Sequence, residues 1–183
     1  MQGYENDPIL VQREIKAVAI PAGVEVSLRI GSVGYITQAL GGSFTVYIEG
    51  NLFRIAGSDA DAIGKTRASA PEVPPGASEE EFKSIVWQQL KTCYDPEIPV
   101  NIVDLGLIYE CDVRRNDDAT RTVEIKMTLT APGCGMGEVL VQDVRDKIRV
   151  VPTVAQANVE LVFDPPWNHT MMSDEARLQT GMM

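Results

Sequence analysis

The residue with the clearest chemical potential is Cys134, which lies in the glycine-rich run 130–137. Alternating apolar and polar residues predict a strand over 123–129, and apolar residues three or four positions apart predict a helix from about 137 to 150. A thiol on such a strand-to-helix turn faces unpaired helix N–H groups, which together with the helix dipole stabilise the thiolate. The run therefore predicts a functional thiol that binds a soft metal or attacks an electrophile.

The chain has two further cysteines, Cys93 and Cys111, and no C-x-x-C pair. Three sparse cysteines disfavour a disulfide framework or a zinc knuckle and favour free thiols in a reducing cytosol, so we expect a cytoplasmic protein. Cys111 alternates with apolar residues of a predicted strand, and Cys93 continues the apolar spacing of a predicted helix. Both are therefore interpreted as core residues.

Acidic residues cluster after the first predicted helix, at Asp95, Glu97 and Asp104. Asp95 and Glu97 flank Pro96, and an aspartate in that setting is often only a turn former. For Asp104, two interpretations stay open: a turn role, and a carboxylate placed near the cysteine loop. His169 is the only histidine, and a Cys134–His169 nucleophile pair is a weaker alternative because no third member or hydrolase signature accompanies it.

Composition excludes several function classes. The formal net charge of -10 argues against sequence-independent binding to nucleic acid and against docking to anionic lipid. No apolar run approaches the roughly 20 residues of a membrane span, and residues 1–14 lack the features of a signal peptide. We therefore predict a globular protein with no nucleic-acid and no membrane partner.

The chain is predicted to be α+β, in two parts. Residues 1–64 read as a small all-β module of about five short strands, a closed barrel or a sandwich. Residues 65–77 form a Pro/Ala linker, and residues 78–183 form a domain of order α-β-β-α-β with helices on one face of a small mixed sheet. Its first helix opens with a capping box, Ser78 and Glu81. Near the C-terminus, the apolar side chains of Trp167, Met171 and Met172 are interpreted as a packing lid.

Three motifs carry a resemblance to a known family. They occur in the order Asp95-Pro96-Glu97-Ile98-Pro99, Asp104-Leu105-Gly106-Leu107-Ile108 and Thr130-Ala131-Pro132-Gly133-Cys134. Together they resemble the iron–sulfur cluster assembly proteins, whose core domain is also found in the phenylacetate-degradation subunit PaaD, over about residues 78–170. Most members of that family have a proline directly after the cysteine. This chain has Gly135 at that position, and in this respect it resembles the SufT branch.

The resemblance implies an accessory role in the maturation of iron–sulfur proteins, with assembly machinery and client apoproteins as partners. It also implies that Cys134 is the functional thiol and metal ligand, and that Asp104 and Thr130, with Gly133 and Gly135, support the same site. An Fe–S cluster generally takes four thiolate-type ligands. One chain offers one suitable cysteine, so we expect a labile cluster bridged between the subunits of a homodimer, or completed by a client.

Two alternatives stay open: a metal-free adaptor of the assembly machinery and a cysteine-dependent enzyme. We favour a carrier or adaptor over an enzyme.

Overall fold

A computed structural model describes residues 6–133 and 135–182 of the chain, and it separates into two compact units between Ser69 and Ala70. That boundary falls inside the proline- and alanine-rich segment 65–77. We refer to the units as the N-terminal module and the C-terminal domain. None of the helices described is long and apolar enough to cross a membrane.

The N-terminal module is one antiparallel sheet of six strands in the order β1-β4-β5-β6-β2-β3. The strands are β1 Asp7–Leu10, β2 Ile15–Ile20, β3 Val24–Leu28, β4 Val33–Leu40, β5 Ser43–Ile48 and β6 Asn51–Ile55. The sequence did not reveal β1, whose four residues are too few for a period to show. The six strands form a single sheet, so the predicted sandwich of two sheets is wrong. Within the described residues the end strands β1 and β3 do not pair, so the sheet does not close into the predicted barrel either.

Strand alternation gives this sheet a buried inner face, which includes Ile36, Val46 and Ile55 at 0% exposure. A 3-10 helix over Gly57–Ile63 packs its Ala60, Ala62 and Ile63 into the same core. The guanidinium of Arg13 bridges Asp59 and Asp61 of that helix at 2.8 and 3.0 Å. Hydrogen bonds from Arg13 and Arg67 hold the pKa of Asp61 well below its usual range.

The C-terminal domain is built on a three-stranded mixed sheet in the order β7-β8-β9. Strand β7 (Ile108–Arg115) pairs antiparallel with β8 (Arg121–Met127), and β9 (Val154–Leu161) pairs parallel with β8. The parallel pair requires a crossover, which α2 (Gly137–Arg149) supplies. Helices α1 (Glu79–Leu90) and α2 pack on one face of the sheet, so the predicted α+β architecture is confirmed.

Helix α1 begins as the sequence predicts. The Ser78 hydroxyl accepts a hydrogen bond from the Glu81 backbone N–H at 3.1 Å, and the Glu81 carboxylate accepts one from the Ser78 N–H at 2.7 Å. Two orphan N–H groups of the first turn are thereby satisfied. The hydrogen bonds from Ser78 also lower the pKa of Glu81.

The segment after β9 packs back on the C-terminal domain, which confirms the predicted packing role of its apolar residues. The Trp167 indole N–H donates to the Leu105 carbonyl at 2.7 Å, and Met172 is buried. Gly106 has φ +72°, and a Cβ there would lie 2.2 Å from the Met171 carbonyl oxygen. The Asp104-Leu105-Gly106 motif therefore holds this segment in place. A short helix, α3 (Asp174–Thr180), capped by Ser173, ends the described chain.

Candidate functional site

The predicted functional thiol, Cys134, lies outside the described residues, but the residues on both sides of it are described. Three segments, two of which lead to and from position 134 along the chain, line one small pocket of about 10 Å³, roughly the volume that one water needs. We call it the flanking pocket. It is lined by the loop after α1 (Asp95, Pro96, Glu97), the exit of β8 (Leu129, Thr130) and the start of α2 (Met136, Gly137, Leu140).

Asp95 is the buried acid of the flanking pocket, at 7% exposure. Its Oδ1 accepts hydrogen bonds from the backbone N–H groups of Glu97 at 2.9 Å and Ile98 at 2.8 Å. Its Oδ2 accepts a longer one, 3.4 Å, from the Thr130 hydroxyl. Burial raises the pKa of Asp95, and the hydrogen bonds oppose that shift only in part.

Asp95 forms the turn bond that its sequence context predicts, and it has a second role that the sequence context does not indicate. One carboxylate oxygen forms the Asx turn, and the other faces Thr130 across the pocket. Nothing local in the sequence links positions 95 and 130, because their contact depends on how α1 packs on the sheet. The signal in the sequence that could have indicated this contact is that the motif beginning at Asp95 and the motif beginning at Thr130 occur together in one chain.

Asp104 makes other contacts. Its Oδ2 accepts a hydrogen bond from the Asn101 side-chain amide at 2.6 Å, and its Oδ1 lies 3.6 Å from the Lys91 ammonium. It does not line the flanking pocket as described, whereas Thr130 does. The predicted support of Cys134 by Asp104 stays a prediction.

The glycines around Cys134 differ in backbone conformation and in the space that a side chain would find there. Gly133 has φ +82°, in the left-handed region that favours glycine, and a Cβ there would meet open space. Gly135 is exposed. Gly137 begins α2, and a Cβ there would lie 2.6 Å from Leu129 Cδ1, so the missing side chain lets the helix start directly against β8's exit.

The start of α2 favours negative charge. Its N-cap residue, Met136, makes no side-chain capping hydrogen bond to the first N–H groups of the helix, which have no partner within the helix itself. These groups and the helix dipole stabilise an anion placed within the first turn. Glu138 lies in this first turn, and position 134 precedes the helix by three residues, so the sequence supplies a carboxylate and a thiol near these N–H groups.

The other two cysteines lie in the hydrophobic core, as predicted. Cys93 is 0% and Cys111 4% exposed, and both belong to the cluster beneath α1 and α2. Burial raises the pKa of Cys111 to about 11, so this thiol is protonated at neutral pH. Both are therefore poor candidates for metal ligands.

His169, the proposed partner of Cys134 in the enzyme alternative, is exposed at the start of a 3-10 helix, His169–Met171. The pair itself includes a residue outside those described. Within residues 6–133 and 135–182, no group of three or more His, Cys, Asp or Glu side chains is placed to hold a metal ion.

Comparison with known proteins gives consistent matches. Residues 83–161 match the family described as iron–sulfur cluster assembly protein. The chain is 47% identical over 98 residues to the Fe-S protein maturation auxiliary factor of Porphyromonas gingivalis, covering 54% of this chain and 90% of that protein. It is 35% identical to the factor YitW of Bacillus subtilis, over 57% of this chain and 98% of that protein. It is 38% identical to the factor SufT of Staphylococcus aureus, over 48% of this chain and 96% of that protein.

Proposed function

This chain belongs to the iron–sulfur cluster assembly protein family and is a SufT-type auxiliary factor of iron–sulfur protein maturation; we propose that it acts through Cys134. The thiolate of Cys134 transiently holds an iron–sulfur cluster as cargo, or a client protein at the moment of delivery. The relatives are named as auxiliary factors rather than enzymes, and we propose carriage without catalysis.

The observation that carries this proposal is the flanking pocket. Segments from α1's exit, β8's exit and α2's start line this pocket, and the chain between the last two contains position 134. This arrangement fixes the backbone on both sides of the cysteine while α2's first N–H groups favour its ionised form. A thiolate, and not a thiol, is the form that binds iron.

The number of available thiols supports a shared cluster. Cys93 and Cys111 are buried in the core, so a single chain supplies one cysteine to a cluster that generally takes four such ligands. The remaining ligands come from a second copy, a small thiol or a client protein. A cluster held this incompletely dissociates readily, which suits delivery to another protein.

Asp95 and Thr130 would serve as positioning residues. The Asp95 carboxyl is fixed by two backbone N–H groups, and its second oxygen orients the Thr130 hydroxyl. Thr130 lies four residues before Cys134 in the same turn segment. Loss of either side chain would therefore loosen the cysteine turn rather than remove a ligand.

Anaerobic reconstitution of the full chain with ferrous iron, sulfide and a small thiol tests the proposal. We expect visible absorption bands for the wild type, their loss in Cys134→Ser, and their retention in the core variants Cys93→Ala and Cys111→Ala. Transfer to an apo-ferredoxin, monitored through the activity of that acceptor, should follow the same order. Bands that persist in Cys134→Ser would overturn the role of the thiol, and their absence from the wild type would favour the metal-free adaptor.

A further inference from the structure

The N-terminal module exposes a continuous apolar band on the outer face of its sheet. Its members are Leu10, Val33, Tyr35, Tyr47 and Leu52, with exposures of 51, 65, 37, 36 and 36%. On β4 and β5 these positions alternate with the inner-face residues Ile36, Val46 and Ile48, so they point away from the module's core. We call this set the outer band.

Strand register makes the outer band contiguous. Leu10 lies opposite Val33, Tyr35 opposite Tyr47, and Tyr47 opposite Leu52. The rings of Tyr35 and Tyr47 stack with centroids 5.3 Å apart. The band therefore crosses four neighbouring strands, β1, β4, β5 and β6, without a charged side chain among its members.

We propose that the outer band is the surface on which a second copy of this chain docks, sheet face against sheet face. Two sheets pack in this way about 10 Å apart when both present apolar side chains. An apolar band is complementary to itself about a two-fold axis, which pairs each residue with apolar neighbours of the other copy.

The distribution of charge favours a second copy at this face. The chain carries a net charge of -10, yet residues 6–69 contain equal numbers of acidic and basic side chains. The excess negative charge therefore resides almost wholly in residues 70–183. Two copies that meet through the N-terminal module bring together parts without net charge, whereas a contact made through the C-terminal domains alone would bring together parts of like net charge.

The small size of the outer band indicates a weak contact. The largest apolar patch on a typical monomer is roughly 300–600 Å², and a standard interface buries about 800 Å² per partner. The five members of the band are only partly exposed and are fewer than the roughly 20–30 residues per side of such an interface, so we expect a weak, reversible dimer.

Sedimentation of the full chain with a reductant present tests this, over about 1 to 500 μM protein at low and high salt. We expect a monomer–dimer equilibrium that strengthens with salt, because salt screens the repulsion between two chains of charge -10. Weakening by salt, or a monomer at every concentration, would overturn the proposal and point to a different partner.

Charge variants locate the interface. Val33→Glu and Leu10→Glu lie in the outer band, and each should raise the dissociation constant at least 10-fold. The matched control is Val24→Glu, which adds the same charge at a 59% exposed position whose strand alternation aligns it with the inner-face residue Leu28. Equal effects of Val33→Glu and Val24→Glu would show general repulsion rather than docking, and would sink the proposal. Melting temperatures report whether each variant folds.

This inference is independent of the thiol chemistry. Cys134→Ser should dimerise as the wild type does, even where it fails to carry a cluster. A dimer that forms only with Cys134 intact would contradict docking through the outer band and would instead support a contact at the cysteine.

Discussion

The hydroxyl of Thr130 donates to the carboxyl of Asp95 across 3.4 Å, although the two residues lie 35 positions apart in the chain. The bond joins the loop after α1 to the exit of β8, two of the three segments that line the flanking pocket. It is longer than the usual 2.7–2.8 Å of a hydroxyl–oxygen bond, so it orients the two groups more than it stabilises the fold. Within this pair, the carboxyl group of Asp95 is the group that gains or loses a proton as the pH changes.

Asp95→Asn should make the C-terminal domain more stable at neutral pH. Burial raises the pKa of Asp95 above its ordinary value of 3.8, so the folded state holds this proton more tightly than the unfolded state. Stability therefore falls as pH rises from about 3.8 through the raised pKa. Asparagine keeps an oxygen to accept the backbone hydrogen bonds and carries no charge. Urea unfolding at intervals from pH 3 to 8 should show the variant's advantage growing across that window and constant above it.

Thr130→Val should act in the opposite direction. The Thr130 hydroxyl favours the ionised form of Asp95, so its removal raises the pKa of Asp95 further and widens the pH window of falling stability. The same urea series measures this effect. If Thr130→Val and Asp95→Asn gave superimposable pH profiles, the hydrogen bond between the two residues would not be the cause.

Thiol reactivity should separate the three cysteines. Cys93 and Cys111 are buried, and the pKa of Cys111 is raised to about 11. In the native chain at pH 7.5 we expect one fast-reacting thiol with a chromogenic disulfide, and three after denaturation. In Cys134→Ser the fast phase should vanish while two thiols appear on denaturation. A fast phase that survives in Cys134→Ser would show that a core cysteine is accessible.

The sequence predicted most of what depends on local periodicity. Ser78 and Glu81 identified the start of α1, and the alternation around Cys111 identified its burial. Contacts between distant segments were not predictable in the same way. The pairing of Asp95 with Thr130 depends on tertiary packing, and no local pattern contains it.

Arg121 should tolerate lysine poorly. Its guanidinium lies 4.0 Å from the Phe82 ring centroid, donates to the Thr153 hydroxyl at 2.8 Å and approaches Glu79 at 3.3 Å. An ammonium cannot stack on the ring and reach both oxygens, so Arg121→Lys should cost about 1–2 kcal/mol of the free energy of unfolding. The control is Arg114→Lys, whose exposed ion pair with Glu124 should contribute under about 0.5 kcal/mol. Equal losses in the two variants would contradict the role given to the Phe82 ring and to the hydrogen bond with Thr153.

Gly106→Ala should be far more damaging than Gly181→Ala. Gly106 and Gly181 have nearly the same backbone angle, φ +72° and +71°, so alanine strains both backbones by a similar amount, about 1 kcal/mol. A Cβ at position 181 meets nothing within 4 Å, whereas one at 106 would lie 2.2 Å from the Met171 carbonyl oxygen. The segment around Trp167 must then move away from the Leu105 carbonyl. We expect Gly106→Ala to lose at least about 2 kcal/mol more than Gly181→Ala in urea unfolding, together with a shift in tryptophan fluorescence, because the part-buried indole hydrogen bond is broken as well. Equal losses would mean that the C-terminal segment does not depend on this close approach.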